Sequence, residues 1–418
     1  MKRWVKKYQE FLFLGFFCLC VFSLNLFYEY RHFLAFKESK HIYLKDISVL
    51  LSYIKTNEKG RSYRVLKLAS KDFNFYTTTA KDKEISNYAK LNLRAITSKV
   101  SFKDYLSKSF YMPSYDLNIT STEPVFKHKI IPYFLNQHQD EKVKEFYGAL
   151  FFALSVSKEL RNDVNHYGIA HLIAISGYHI ALIFSLLFFC FAPLYSFFQK
   201  RYFPYRNLRL DLSVMIFVFL LFYAYLIGFV PSFVRSLVMA LFGFYLLAKH
   251  NKIIHFGNLF FSVLICLALF PQLLFSVGFL FSVLGVFFIF LYLHHFASYF
   301  NAFINIILLN LWTFLAMIIP VLHFFPLISF QQFLAIPLSA AFVVFYPCVL
   351  FLHLIGFGGL VDSYLLDFFN FKFHALNFAN ISLNLLLAYI LLALISIRFK
   401  WLALFCVVLN LVPFYVLL

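Results

Sequence analysis

Two histidines, a serine and a glycine interrupt an otherwise apolar stretch of this sequence, residues 168–198. They are His171, Ser176, Gly177 and His179. Such residues are costly in a segment apolar enough to cross a membrane, so they usually serve a purpose there. The two histidines are eight residues apart, about 12 Å along a continuous helix and too far for one shared metal ion. The motif therefore predicts either a helix kink that lines a water-filled path or a close contact between helices.

A second candidate is Arg235, which follows Gly228, Pro231 and Ser232 in another apolar segment. A guanidinium within a membrane span costs about 2.5–3.5 kcal/mol to insert, so it should face protein or water. Its forked donors suit a phosphate, which is the role that we favour. The alternative is an arginine near the edge of the bilayer that either snorkels to the interface or binds carbonyls freed by Pro231.

These residues belong to three blocks that resemble one family. HLIAISGYHIALI, which begins at His171, resembles the HLLAISGLHVGLI signature of the ComEC family. Tyr223–Gly228 with Pro231–Arg235 is similar to its Y..L.G..PS.VRA block, and PQLLFSVGFLFS, which ends at Ser282, is similar to its P.LL.S.GFQLS block. Three blocks in the expected order make the resemblance specific over residues 145–300.

The resemblance implies a channel in the inner, cytoplasmic membrane that translocates single-stranded transforming DNA during natural competence. Its partners would be single-stranded DNA and the lipid bilayer. The block residues that we expect along the DNA path are His171, Ser176, Gly177, His179, Gly228, Ser232, Arg235, Ser276 and Ser282. A secondary transporter of a small anion is the alternative, because it too would contain broken helices and a buried arginine.

No catalytic centre is predicted. Longer family members resemble metallo-β-lactamase-fold hydrolases at their C-terminus, but the sequence up to Leu418 contains no His-x-His-x-Asp-His cluster and no P-loop. We therefore expect the short form of the family, which is not an enzyme and uses no metal or cofactor. Such a protein would depend on a periplasmic DNA receptor and on a separate nuclease and motor.

The composition independently predicts a polytopic membrane protein, with 62% hydrophobic residues and a mean hydropathy of +0.77. Residues 1–28 predict a retained N-terminal anchor, whose basic start belongs in the cytoplasm by the positive-inside rule. Residues 166–418 predict a competence-type transmembrane channel domain. The expected fold is a mainly α membrane bundle of about 9–11 spanning helices with one small β domain.

Residues 29–123 predict this β domain, on the extracytoplasmic side, because short runs of Ile, Val, Tyr, Phe and Thr alternate with turn and charge clusters. The resemblance implies an OB-like barrel here, a fold that binds nucleic-acid strands through aromatic and cationic side chains. The candidate DNA contacts are Tyr63, Arg64, Phe75, Tyr76 and Arg94, although aromatic residues on strands more often belong to a core.

Charge supports a polyanionic partner without proving one. Roughly half of the net charge of +18 falls in residues 29–145, but the lysine-rich proteins of AT-rich genomes show the same excess. Residues 124–165 predict amphipathic helices in the outer headgroup region. Ordinary connecting helices with a solvated charged face are the alternative.

Overall fold

The computed structural model describes residues 2–417 except 57–60, 71, 82–84, 86, 122–128, 250–254 and 373–376. The chain divides into two compact units. The first comprises Met1–Tyr133, Leu154–Ser157 and Val263–Ser276, and the second comprises Phe134–Ala153, Lys158–Ser262 and Val277–Leu418.

The first unit contains one long helix and a six-stranded sheet. Helix α1 (Lys2–Glu38) continues beyond the predicted anchor, residues 1–28, to Glu38. The strands are β1 (His41–Thr56), β2 (Ser62–Ala69), β3 (Asn74–Thr79), β4 (Lys90–Ile96), β5 (Ser109–Tyr111) and β6 (Ser114–Ser121), with α2 (Phe102–Leu106) between β4 and β5. Their order is β5-β3-β2-β1-β4-β6, and every neighbouring pair is antiparallel except β3 and β5.

The sheet is not closed, so the prediction of a barrel is wrong, whereas the OB-like character of the domain stays a prediction. Strands β5 and β6 are the two edges, and only Met112 and Pro113 separate them in the chain. The pairings make both run in the same direction as β3, and a link of two residues cannot bring parallel strands side by side. The link instead reaches both edges, because Met112 N–H donates to Tyr76 O and Ile96 N–H donates to Pro113 O, each at 2.9 Å.

One face of the sheet forms a dry core, as the period of two along each strand requires. On β4, Leu91, Leu93 and Ala95 are fully buried, whereas Arg94 between them is exposed. The last turns of α1 belong to the same core, since Phe36 packs against it beside the partly buried Phe33. The end of α1 is therefore part of the β domain.

The rest of the chain is mainly helical. The helices are α3 (Ile130–Leu135), α4 (Glu141–Phe152), α5 (Lys158–His166), α6 (Ala170–Ile173), α7 (Gly177–Tyr202), α8 (Leu208–Leu226), α9 (Pro231–Ala248), α10 (Phe256–Leu269), α11 (Val277–His295), α12 (Ala302–Phe324), α13 (Ala335–Leu354), α14 (Asp362–Asn370), α15 (Leu383–Ile395) and α16 (Lys400–Leu409). Two short strands, β7 (Leu327–Ile328) and β8 (Asn377–Phe378), pair antiparallel.

Seven helical segments in the described ranges are long and apolar enough to cross a membrane. They are Leu12–Glu38, Gly177–Tyr202, Leu208–Leu226, Pro231–Ala248, Val277–His295, Ala302–Phe324 and Phe330–Leu354. Three shorter apolar helices are Phe256–Leu269, Leu383–Ile395 and Lys400–Tyr415. The protein is thus a mainly α membrane protein with a small β domain. The predicted number of about 9–11 spanning helices is reached only if the shorter helices also cross the membrane. That number therefore stays a prediction.

Helix α12 contains a proline that leaves one carbonyl without its usual donor. Pro320 has no N–H to offer to Ala316 O. The hydroxyl of Tyr389 donates to this carbonyl instead, at 2.8 Å. Asn410 Nδ2 donates to Tyr389 Oη at 2.9 Å, and Asn410 Oδ1 accepts from Ile319 N–H at 2.8 Å. This network, whose tyrosine and asparagine are 2% and 0% exposed, joins α12, α15 and the end of α16.

We expect Tyr389→Phe to destabilise the protein by about 1–3 kcal/mol, because buried polar atoms of Ala316 and Asn410 lose a partner. Thermal unfolding of the purified protein in detergent measures this. Tyr415→Phe is the matched control, since Tyr415 is 77% exposed and should tolerate the change. Equal unfolding temperatures for the two variants would contradict a stabilising role for the network.

Candidate functional site

The chain breaks its helix at the histidine motif. Helix α6 ends at Ile173, and Ser176 is the N-cap of α7. Ser176 Oγ accepts from Tyr178 N–H, and His179 Nδ1 accepts from Ser176 N–H, both at 3.3 Å. This reciprocal capping box satisfies two N–H groups at the start of α7. His179 Nδ1 accepts a hydrogen bond from the backbone of Ser176 and not from its hydroxyl. Ser176 and His179 therefore do not form the base–nucleophile contact of a serine hydrolase.

His179 presents a buried donor to its surroundings. The side chain is 0% exposed, and its ring meets Phe342 and Tyr346 edge-on at 5.6 and 5.1 Å. Since Nδ1 accepts, a neutral ring carries its proton on Nε2. This Nε2 has no hydrogen-bond partner among the described residues. An unpaired buried donor is rare enough in proteins to call for an explanation.

Residues on both sides of the break contact α13. His171 Nε2 lies 3.1 Å from Ser339 Oγ, and Tyr178 Oη donates to Ser339 O at 2.9 Å. The motif thus faces Ser339, Phe342 and Tyr346 on successive turns of α13. Sequence reasoning did not connect this helix with the motif, because nothing in its apolar pattern distinguishes the turns that face a functional motif.

The three sequence blocks contribute one residue each to two adjoining contacts of α9 in the second unit. A Cβ built on Gly177 would lie 3.5 Å from Ser236 Oγ, so the start of α7 packs closely on α9. The adjacent Arg235 is 4% exposed, and its guanidinium lies 5.8 Å from the ring centroid of Phe279 on α11. Gly177, Arg235 and Phe279 come from the first, second and third block, respectively.

The turn between α8 and α9 positions Arg235. Gly228 and the following Phe229 both have positive φ values, 79° and 52°, a region that glycine adopts without strain. Pro231 then begins α9 at a position where its missing N–H costs nothing. Ser232, half-buried in the first turn, accepts from Ser236 Oγ at 2.9 Å through its carbonyl.

The two serines of the third block fall in different units. Ser276 belongs to the first unit, where it lines an open cleft of about 450 Å³ with residues that include Lys103, Asp104 and Ser107. Ser282 is half-buried on α11 in the second unit. Ser282 therefore belongs to the same unit as Arg235, and Ser276 does not.

The five predicted contacts of the β domain divide by exposure. Phe75 is 0% exposed and belongs to the core, which corrects its assignment as a DNA contact. Arg64 is half-buried and donates through Nη1 to Ser52 Oγ at 3.0 Å, and Tyr63 is also half-buried. Tyr76 lies beneath Lys67 Nζ at 5.9 Å. Arg94 is exposed and forms a loose ion pair with Asp116, Nε to Oδ2 at 3.7 Å.

Two cation–aromatic rows cross the outside of the sheet. In the first row, Arg94 pairs with Tyr43 on one side and Tyr115 on the other, and the tyrosines are 52% and 41% exposed. In the second row, Tyr76 pairs with Lys67 and with the exposed Tyr111. Sequence reasoning missed most of these side chains, because strand register decides which residues become neighbours.

A buried carboxylate near the start of the second unit is structural. Lys142 Nζ contacts Asp163 at 2.6 Å, and Lys372 Nζ contacts its other oxygen. Burial would raise the pKa of Asp163, but hydrogen bonds and charges from the two lysines outweigh it and hold that pKa below its usual value. The carboxylate therefore stays ionised and paired. In the described part of the chain, no group of three His, Cys, Asp or Glu side chains could hold a metal ion.

A family model described as "Competence protein" matches residues 153–418, more than half of the chain. The chain belongs to the competence protein family. This confirms the resemblance to the ComEC family, and it supports a role in competence and DNA uptake. All three blocks lie within the match, whereas the β domain lies before it. No curated protein and no solved structure matches the chain.

Proposed function

We propose that this competence protein conducts one strand of transforming DNA across the inner, cytoplasmic membrane. The β domain receives the strand outside the cytoplasm, and a path beside α7, α9, α11 and α13 carries it through. The observation that carries the proposal is that all three sequence blocks supply residues to two adjoining contacts of α9: Gly177 packs against Ser236, and the neighbouring Arg235 lies beside Phe279 on α11.

Arg235 supplies a positive charge where water is scarce. A guanidinium at 4% exposure acts in a medium of low dielectric constant, where its attraction for a phosphate is stronger than in water. Its planar fork donates two parallel hydrogen bonds to one phosphate. Conduction also requires that each binding site release the strand. A single charged site, with neutral donors around it, binds weakly enough to allow release.

His179 supplies a neutral donor close to the same helix start. Its buried Nε2–H lies beside the break between α6 and α7. An uncharged donor can bind a phosphate or base oxygen weakly, which favours passage over capture. Small side chains at Ser176, Gly177 and Ser236 let α7 and α9 approach closely at this point, as at the close contacts of other membrane helices.

The two cation–aromatic rows suit reception of a single strand. Bases stack on exposed aromatic rings irrespective of sequence, and cations beside the rings neutralise phosphates. Arg94 between Tyr43 and Tyr115 has this arrangement. The protein itself would be passive and no enzyme, so a DNA receptor, a nuclease and a motor would be separate proteins.

Deletion of the gene tests the proposal. We expect normal DNA uptake into the periplasm but no transformants, because the strand cannot enter the cytoplasm. Labelled DNA distinguishes the two compartments, and a plasmid copy of the gene should restore entry. Unchanged transformation in the deletion strain would contradict the proposal and would leave the transporter of a small anion as the alternative.

We expect Tyr43→Ala to weaken binding of single-stranded DNA by about 1–3 kcal/mol, because one stacking platform is lost. Arg94→Glu should weaken it as well and reduce its salt dependence. Fluorescence anisotropy with a labelled oligonucleotide and the full chain in nanodiscs measures both effects. The matched control is Tyr205→Ala, which removes a tyrosine that is 83% exposed outside the β domain. Equal losses from Tyr43→Ala and Tyr205→Ala would exclude the first row as the binding surface.

A further inference from the structure

Three ionisable side chains form one buried hydrogen-bonded chain in the second unit. His138 follows α3, His353 lies in the last turn of α13, and Asp362 begins α14. His138 Nδ1 lies 2.9 and 3.0 Å from the two carboxylate oxygens of Asp362. His138 Nε2 lies 2.9 Å from His353 Nε2, and His353 Nδ1 lies 2.6 Å from Val349 O. The histidines are 4% and 0% exposed, so water does not replace these partners.

We propose that His138, His353 and Asp362 form a proton-binding site that fastens the segment between α3 and α4 to the junction of α13 and α14. The argument is a count of protons. Val349 O can only accept, so His353 Nδ1 carries a proton. One more proton must lie between the two Nε2 atoms, and a third between His138 Nδ1 and Asp362. Two neutral imidazoles and a carboxylate hold only two protons, so the complete chain binds one more.

Two opposing effects act on that proton: burial disfavours a charged imidazole, whereas the carboxylate of Asp362 and an aromatic ring favour it. The Tyr147 ring stacks on His138, with centroids 4.6 Å apart and planes 15° apart, and meets His353 at 4.4 Å. An aromatic face attracts a cation that lies above it. Burial and, secondarily, the charge of Asp362 raise the pKa of Tyr147, so this phenol stays neutral. Among the described residues, His138 contacts the titratable side chains of Asp362, His353 and this neutral tyrosine.

A second contact ties the same two segments together. Gln137 Nε2 donates to His353 O at 3.0 Å, and Gly358 N–H donates to Gln137 Oε1 at 2.7 Å. A Cβ on Gly358 would lie 2.7 Å from Gln137 Oε1 and 2.8 Å from His353 Nε2, so only glycine permits this approach. Loss of the proton would leave two lone pairs facing each other, either on the two Nε2 atoms or on His138 Nδ1 and Asp362, within this tight junction. Deprotonation should therefore loosen the junction.

Asp362→Asn is the decisive substitution, because an amide can donate to His138 Nδ1. The chain is then complete with two neutral imidazoles and needs no extra proton. The wild-type native state holds a proton that the unfolded chain releases above a pH of about 6.5, so its stability falls as the pH rises. We expect the unfolding temperature of the full-length protein in nanodiscs to fall with rising pH. We expect the Asp362→Asn variant to lose this part of the dependence.

His323→Asn is the matched control, because His323 Nδ1 bonds only to a carbonyl, Ile381 O at 2.8 Å. It should keep the pH dependence of the wild type. Nitrogen NMR of histidine-labelled wild type gives a second measurement: one imidazolium should persist at about pH 8, above the ordinary range of histidine. The signal should be absent from Asp362→Asn.

Three results would overturn the proposal. They are an unchanged pH dependence in Asp362→Asn, no imidazolium in the wild type at about pH 8, and a stoichiometric metal ion bound by His138 and His353 in the purified protein. If Asp362→Asn does not fold, the wild-type spectrum alone decides. The proposal does not depend on DNA translocation, because its measurements use no DNA.

Discussion

Replacement of Arg235 by alanine is expected to lower transformation by roughly 100-fold or more, while the protein stays in the membrane at normal abundance. The reason is the position of the guanidinium, which belongs to a residue that is 4% exposed and lies beside Phe279, next in the chain to the Ser236 that meets Gly177. A charge placed there costs about 2.5–3.5 kcal/mol on insertion. An interaction of that size corresponds to about 100-fold in an equilibrium. Transformation frequency and immunoblots of membranes measure the two quantities.

Arg235→Lys separates charge from geometry. Lysine keeps the positive charge but lacks the planar fork, so we expect a smaller loss than with alanine. Arg209→Ala is the matched control, because Arg209 lies exposed in the first turn of α8 and should be dispensable. Normal transformation by Arg235→Ala at normal abundance would remove Arg235 from the DNA path. Low abundance of the alanine variant would leave the lysine variant as the informative one.

Gly177→Leu is expected to abolish transformation, whereas Gly177→Ala should retain most of it. A methyl group at this position would meet Ser236 Oγ and Cβ at 3.5 and 3.6 Å, which is ordinary van der Waals contact. A leucine extends two further bonds and must push α7 away from α9, next to Arg235. Overpacking of this kind typically costs about 1–3 kcal/mol, and here it also displaces the charged group.

The chain offers a matched control for this pair. Gly243 lies on α9 with nothing within 4 Å of an added Cβ, so Gly243→Leu should transform like the wild type. Expression must be equal in all three variants, and transformation frequency is the measurement. Failure of both leucine variants would point to a general defect in folding. Normal transformation by Gly177→Leu would mean that the motif serves only helix packing and not DNA transport.

The local sequence predicted the class of the protein and the residues of its main motif. A long apolar stretch must satisfy its backbone by helix formation in a bilayer, so composition was sufficient for the membrane helices. Ser176 and Gly177 likewise predicted a kink or a close helix contact, and serine is a favoured N-cap. Helix α7 does begin at Gly177. These features depend on neighbours in the chain, which the sequence displays directly.

The tertiary structure decided which distant residues meet. His138 and Asp362 are separated by 224 residues, and His171 and Ser339 by 168. Both contacts depend on how apolar helices pack against one another. Many different packings would bury the same apolar surface area, so the sequence alone does not select one of them. The β domain shows the same limit, because strand propensity could not say that Phe75 faces the core while Arg94 lies exposed between Tyr43 and Tyr115. A shift of one residue in register would reverse these faces, and only long-range pairing excludes it.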